Sequence, residues 1–160
     1  MLEPGVHAPD FTLPDADMAL FKLSRHKGRF VVLCFYPKDD TPACTLQAEE
    51  FSDLEQAFSR CNALVVGVSR DDCISHADFR DKYGLSMQLL ADVEGEVCRK
   101  YGVLQALEKD GVRKLCVQRA TFVIDPQGVL RHVRVGMPPR GHAAEMLSLL
   151  KEMNPPCISP

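Results

Sequence analysis

The segment Phe30-Val31-Val32-Leu33-Cys34-Phe35-Tyr36-Pro37-Lys38-Asp39-Asp40-Thr41-Pro42-Ala43-Cys44-Thr45 decides how the rest of the chain is read. Six apolar residues and a tyrosine form a run that suits a buried central strand. The run stops at Pro37, and the polar stretch after it turns the chain toward a helix. Thr41 suits the N-cap and Pro42 the first helical position. Cys44 therefore falls in a first helical turn, close to backbone N–H groups without intrahelical partners and to the positive end of the helix dipole. Such a position favours the thiolate, which is the reactive form of cysteine.

Outward from this segment, buried strands alternate with helices. Toward the N-terminus, Ala8–Pro14 and Met18–Leu23 show short alternation and read as a hairpin. Beyond Cys44, residues 43–59 carry Phe51, Leu54 and Phe58 on one helical face. Ala63–Val68 reads as a second buried strand. Asp71–Tyr83 reads as a helix capped by Asp71 or Asp72 and stopped by Gly84. Gln88–Ala91 is a short strand and Gly95–Tyr101 a short helix. Ala120–Ile124 and Val129–Val135 are strands joined through Asp125-Pro126-Gln127-Gly128. Gly141–Glu152 is a closing helix, with Ala144, Leu147 and Leu150, or Met146 and Leu150, on its apolar side. This order predicts an α/β fold in three layers, with a central mixed sheet flanked by helices and an N-terminal β-hairpin. Residues 1–153 are expected to form a single domain, and 154–160 an extended, mobile tail carrying Cys157.

The bulk composition removes several classes of function. A net charge of −3 gives no general attraction to nucleic acid or to an anionic membrane. No apolar run is long enough to span a bilayer. The N-terminus lacks a basic segment followed by an apolar stretch, so no secretory signal is read and a cytoplasmic protein is expected. Seven cysteines, at 34, 44, 61, 73, 98, 116 and 157, are irregularly spaced, with no Cys-x-x-Cys pair and no Cys/His cluster at zinc spacing. Most are expected to be buried and inert. The five histidines are scattered and read as surface or packing residues rather than ligands. Asp39-Asp40 and Asp71-Asp72 are expected to be solvated at a loop and a helix start.

Pro37-x-x-x-Thr41-x-x-Cys44 resembles the active-site motif of the peroxiredoxins. The longer pattern Phe35-Tyr36-Pro37-Lys38-Asp39-x-Thr41-Pro42-x-Cys44-Thr45 is similar to the bacterioferritin comigratory protein, or Q-type, branch. Gly67-Val68-Ser69-Arg70-Asp71, Ser75-His76, Leu90-Ala91-Asp92, Arg119–Asp125 and Gly141–Glu145 follow in that family's order. The resemblance implies a thioredoxin-like fold and a thiol peroxidase for hydrogen peroxide and organic hydroperoxides, serving antioxidant defence without metal or organic cofactor. It implies that Cys44 is the peroxidatic nucleophile, that Thr41 orients the peroxide, and that Pro37 shields the thiolate from water. It also implies that Arg119 lowers the thiolate's pKa and stabilises charge developing on the peroxide oxygens. A guanidinium suits that task because it stays charged when partly buried.

The sulfenic acid formed on Cys44 has to be resolved by a thiol, and here the chain departs from the family pattern. Glu49 stands five residues after Cys44, and Arg80 stands at the other customary position in the next helix. Cys73, two turns before Arg80 on roughly the same helix face, is the in-chain substitute. Cys157 on the tail is a weaker one, and resolution without any in-chain thiol is the remaining route. Thioredoxin, glutaredoxin or a small thiol is the expected reductant, and the protein is expected to be a monomer or weak homodimer. A second reading is a stoichiometric peroxide sensor that relays oxidation to a partner by disulfide exchange. A third is a thiol–disulfide oxidoreductase, against which the absence of Cys-x-x-Cys argues.

Overall fold

The computed structural model describes residues 1–153; residues 154–160, with Cys157, lie outside the described residues. The apolar run at 30–35 forms strand β3 (Phe30–Phe35), every residue of which is buried. It follows two short strands, β1 (Thr12–Pro14) and β2 (Leu20–Lys22), which pair antiparallel as the expected N-terminal hairpin. β4 (Ala63–Ser69) lies parallel to β3, with Cys34 opposite Gly67. β5 (Gln88–Ala91) extends the sheet on that side. On the other side β8 (Ala120–Ile124) runs antiparallel to β3 with Phe35 opposite Ala120, and β9 (Leu130–Val135) follows it. The five-stranded sheet has the order β5-β4-β3-β8-β9, parallel on one side of β3 and antiparallel on the other. β3 is its centre, which explains why both of its faces are apolar.

Each face carries its own core. Val32, Cys34 and Tyr36 pack with Phe51, Phe58 and Phe79 and with Met146, Leu147 and Leu150 of the last helix. Val31, Leu33 and Phe35 pack with Phe122, Tyr101 and Phe11 under the N-terminal hairpin. The helices are α1 (Pro42–Asp53), α2 (Glu55–Arg60), α3 (Cys73–Tyr83), α4 (Glu96–Lys100) and α5 (His142–Met153). The expected caps of α3 are both present. Asp72 accepts from Ser75 N–H at 2.8 Å, and Gly84 ends the helix at φ 61°, a conformation glycine adopts without steric cost. Among the described residues no helix is long and apolar enough to cross a membrane.

Four expectations are corrected. Residues 43–59 are not one helix. The Leu54 N–H is shared between the Glu50 and Phe51 carbonyls, both at 3.2 Å, and the tightened turn separates α1 from α2. Residues 104–117 form a second hairpin that carries no mark in the apolar pattern, β6 (Leu104–Lys109) with β7 (Val112–Val117). Its turn is Asp110-Gly111, both at positive φ, as a two-residue hairpin turn of this hand requires. On α5 the buried face is Ala143, Met146, Leu147 and Leu150, whereas Ala144 is exposed. Finally, Asp39 is not solvated.

Asp39 is buried and anchors the loop between β3 and α1. It accepts from Tyr36 Oη at 2.6 Å and Ser75 Oγ at 2.8 Å, and His76 Nδ1 lies 2.8 Å away. His76 Nε2 sits 2.9 Å from the Leu90 carbonyl. A carbonyl oxygen only accepts, so Nε2 carries a hydrogen and donates to Leu90. The Asp39 N–H donates to Asp71, which also accepts from Ser69 Oγ. The loop is thus tied to both β4 and α3. Gly67 makes room for it: a Cβ there would lie 3.1 Å from the Tyr36 ring. Removing one partner of a buried hydrogen bond leaves the other unsatisfied. His76→Ala is therefore expected to cost about 1–3 kcal/mol, read from urea denaturation; a loss under about 0.5 kcal/mol contradicts the pairing.

His142 is buried at the start of α5, with Nε2 2.8 Å from Thr121 Oγ1. Burial lowers its pKa below the ordinary 6.5, with Arg119 and Arg134 adding in the same direction and Glu145 opposing. As pH falls below 6.5 the unfolded chain takes up a proton that the folded chain resists, so stability declines with acidification until the folded group also titrates. His26 and His132 shift the same way. The urea midpoint is expected to fall between about pH 7.5 and pH 5, and less steeply in His142→Gln. An unchanged slope in that variant removes His142 from the account.

Candidate active site

β3 ends at Phe35, the anchored loop follows, and α1 begins at Pro42, so Cys44 sits in the first turn of α1 at the carboxyl end of the central strand. Open α/β sheets bind ligands in this place. The first intrahelical bond runs from Thr45 N–H to the Thr41 carbonyl at 2.8 Å. The N–H of Cys44 precedes it and belongs to the unpaired set at a helix start. Cys44 is only 3% exposed. Behind it lies an apolar space of about 10 Å³ walled by Cys34, Tyr36, Phe51 and Met87. That is room for at most one water.

Arg119 reaches Cys44 from the start of β8. It directly precedes β8, whose register sets Ala120 beside Phe35 and so delivers residue 119 to the end of β3. Its carbonyl is held by Gly136 N–H at 3.0 Å. Nη2 donates to Cys44 Sγ at 3.3 Å, and Nη1 donates to Gln47 Oε1 at 2.6 Å. The planar fork of the guanidinium allows both bonds at once. Gln47 is buried on α1, one turn after Cys44, and it escapes sequence reasoning because a lone glutamine carries no charge pattern. The one available signal is its i+3 spacing from Cys44. Gln47 acts through Arg119 and is a positioning residue. Gln47→Ala is expected to lower kcat/KM about tenfold, the value of one hydrogen bond. Gln47→Glu keeps the acceptor and is expected to restore most of the rate; failure of that rescue refutes the positioning role.

Thr41 and Pro37 are placed differently from each other. Thr41 has the extended backbone of an N-cap, but its hydroxyl donates to the Lys38 carbonyl at 3.0 Å and caps no helix N–H. Its proton is committed, which leaves the oxygen lone pairs as acceptors. Pro37 is exposed and borders a cleft of about 470 Å³ with Lys38, Arg70, Leu115 and Cys116. Cys116, to which the motif assigns nothing, is thereby beside Pro37. Cys73 is the first residue of α3 and partly exposed. Cys34 is buried, and burial pushes its thiol up to about 12. Burial likewise raises Cys98. Cys61 is buried. Among the described residues, no group of three or more His, Cys, Asp or Glu side chains is placed to hold a metal ion.

A thiol at a helix start, bonded to a guanidinium that a distant strand supplies, agrees with the family comparison. Residues 4–133 match the model of the AhpC/TSA family. The chain belongs to that family. Within it, the peroxiredoxin Bcp of Bacillus subtilis is 37% identical over 157 residues, covering 96% of this chain and 98% of its own length. The bacterioferritin comigratory protein of Xanthomonas campestris, a structure studied for its alkyl peroxide reduction activity, superposes with a TM-score of 0.89 at 30% identity over 95% of this chain and 99% of that one. A cysteine-to-serine mutant of PrxQ from Xylella fastidiosa gives a TM-score of 0.90 at 30% identity, covering 96% and 98%. This peroxiredoxin is a thiol peroxidase of the Bcp/Q kind with a thioredoxin-like fold, as the resemblance at residues 35–45 implies.

Proposed function

We propose that this peroxiredoxin reduces hydrogen peroxide and organic hydroperoxides at Cys44, with Thr41, Pro37 and Arg119 completing the site. The observation that carries the assignment is the 3.3 Å bond from Arg119 to Cys44 Sγ. The Cys44 thiolate attacks the nearer peroxide oxygen. The S–O bond forms as the O–O bond breaks, and the electron pair leaves on the far oxygen, which is protonated to water or an alcohol. The Arg119 guanidinium and the helix-start N–H groups face the charge that develops. The Thr41 oxygen, its own proton held by Lys38, accepts from the peroxide O–H and sets its orientation. Pro37 offers no N–H and keeps its apolar ring at the mouth, which limits hydration of the sulfur.

Cys44 then carries a sulfenic acid, which a thiol attacks to give a disulfide and water. Cys73 is the in-chain candidate for that thiol because it starts α3 and is partly exposed. Bond formation requires the first turns of α1 to open, since Cys44 is packed in the core. Thioredoxin, glutaredoxin or a small thiol returns the protein to its reduced state, which acts in the cytoplasm as a monomer or weak dimer. Peptide mapping by mass spectrometry after one equivalent of peroxide tests the scheme. A Cys44–Cys73 peptide supports in-chain resolution. Sulfenic or sulfinic acid at Cys44 alone assigns resolution to an external thiol, and oxidation spread over other cysteines with Cys44 intact refutes the site. Sustained turnover with excess thioredoxin and its reductase separates a peroxidase from a stoichiometric sensor.

A further inference from the structure

A cavity remote from Cys44 is lined by two cations that have no ion pair among the described residues. At the amino end of β3 a pocket of about 260 Å³ opens between the N-terminal segment, the 3-10 turn Leu23–His26 and the turn after β8. Its floor is apolar, formed by Leu23, Val31 and Ile124. Val31 lies four residues before Phe35, so the pocket is about 13 Å along the strand from the end that carries the active-site loop. Its volume equals about nine waters at ~30 Å³ each, enough for a small organic molecule.

The polar rim is electrically unbalanced. Two carboxylates line it, and both are already satisfied. Asp10 accepts from the N–H groups of Phe11 and Ser24 at 3.0 and 2.9 Å, with Lys22 at 3.9 Å. Asp125 accepts from Gln127 N–H, from Val129 N–H, and from Arg131 Nε at 2.7 Å. The rim's cations, Lys27 and Arg29, have no ion pair among the described residues. His7 and His26 complete the rim, and His26 is stacked on Phe21 with ring centroids 4.5 Å apart. Counting the partners of the two acids, the site holds two positive charges in excess. The imbalance is felt locally: burial, and then repulsion from Arg29, lowers the pKa of His26. Arg29 is half-buried, so its charge is less screened than a surface charge.

We infer that this pocket binds a small organic anion, a phosphate monoester or carboxylate, with the acid on Lys27 and Arg29 and the apolar body on Leu23, Val31 and Ile124. A guanidinium meets either acid through two parallel hydrogen bonds, which gives the site orientation as well as charge. The apolar floor selects against inorganic anions, and the distance from Cys44 makes occupancy independent of the peroxidase chemistry.

The test is titration of the full-length protein with phenyl phosphate and, separately, benzoate, followed by amide and histidine NMR. Saturable shifts are expected at His7, Ser24, Lys27 and Gly128, and the His26 titration is expected to move upward as the anion offsets Arg29. Which of the two probes binds more tightly assigns the acid. The double variant Lys27→Gln with Arg29→Gln is expected to weaken binding at least tenfold with peroxidase activity retained, and Cys44→Ser to bind as the parent does. No saturation by about 10 mM, a range far weaker than a built site gives, overturns the inference. So does equal affinity for inorganic phosphate, undiminished binding by the double variant, or shifts centred on residues 36–44.

Discussion

Cys44→Ser is expected to reduce peroxide consumption to the uncatalysed background while leaving the fold intact. Serine is smaller and fits a side chain that is 3% exposed, and its hydroxyl can still accept from Arg119. What disappears is the polarisable sulfur whose anion attacks the O–O bond. None of the other described cysteines can substitute at that point. Cys34 and Cys98 are buried with thiols pushed upward, and Cys73 and Cys116 lie outside the first turn of α1. Thiol-dependent loss of peroxide, followed beside a circular dichroism melt, measures both parts. More than a few per cent of parental turnover in a folded variant removes Cys44 from the centre of the reaction.

Arg119→Gln is expected to lower kcat/KM by about 10²–10³, the usual cost of removing one preorganised donor from developing negative charge. Arg119→Lys is expected to fall between it and the parent. An ammonium restores a charge but not the fork that spans Cys44 Sγ and Gln47 Oε1. The order parent, lysine, glutamine therefore separates charge from geometry. If lysine matches the parent, the two-pronged contact is immaterial. If glutamine stays within about threefold, equivalent to well under 1 kcal/mol, Arg119 is a structural residue.

Much of this architecture was legible in the chain. β3 and β4 announced themselves as uninterrupted apolar runs, and α3 by Asp72 at one end and Gly84 at the other. Cys44 and Arg119 were legible through motif resemblance, and the register of β8 against β3 supplies the physical reason they meet. The β6–β7 hairpin was not read because its side chains are largely exposed on both faces, so the alternation that marks a half-buried strand is absent; the Asp110-Gly111 turn was its only clear signal. The burial of Asp39 is not legible because its partner His76 is 37 residues away and an aspartate in a loop, taken alone, resembles a solvated residue. Burial of that kind arises only once two distant segments are assembled. The Leu54 break carries no glycine or proline and follows from a shared backbone hydrogen bond that composition does not encode.

The separation of 75 residues between Cys44 and Arg119 also bears on how the protein is made. At synthesis rates of 5–20 residues per second, about 4–15 s pass between the addition of the cysteine and that of the arginine. Throughout that interval β3 lacks its antiparallel neighbour β8, and the sulfur lacks the cation that faces it. A nascent or abandoned chain therefore lacks the Arg119 contact to Cys44. On the proposed mechanism, full peroxidase activity therefore waits until the last quarter of the polypeptide has docked, and its acquisition reports that β8 has paired with β3.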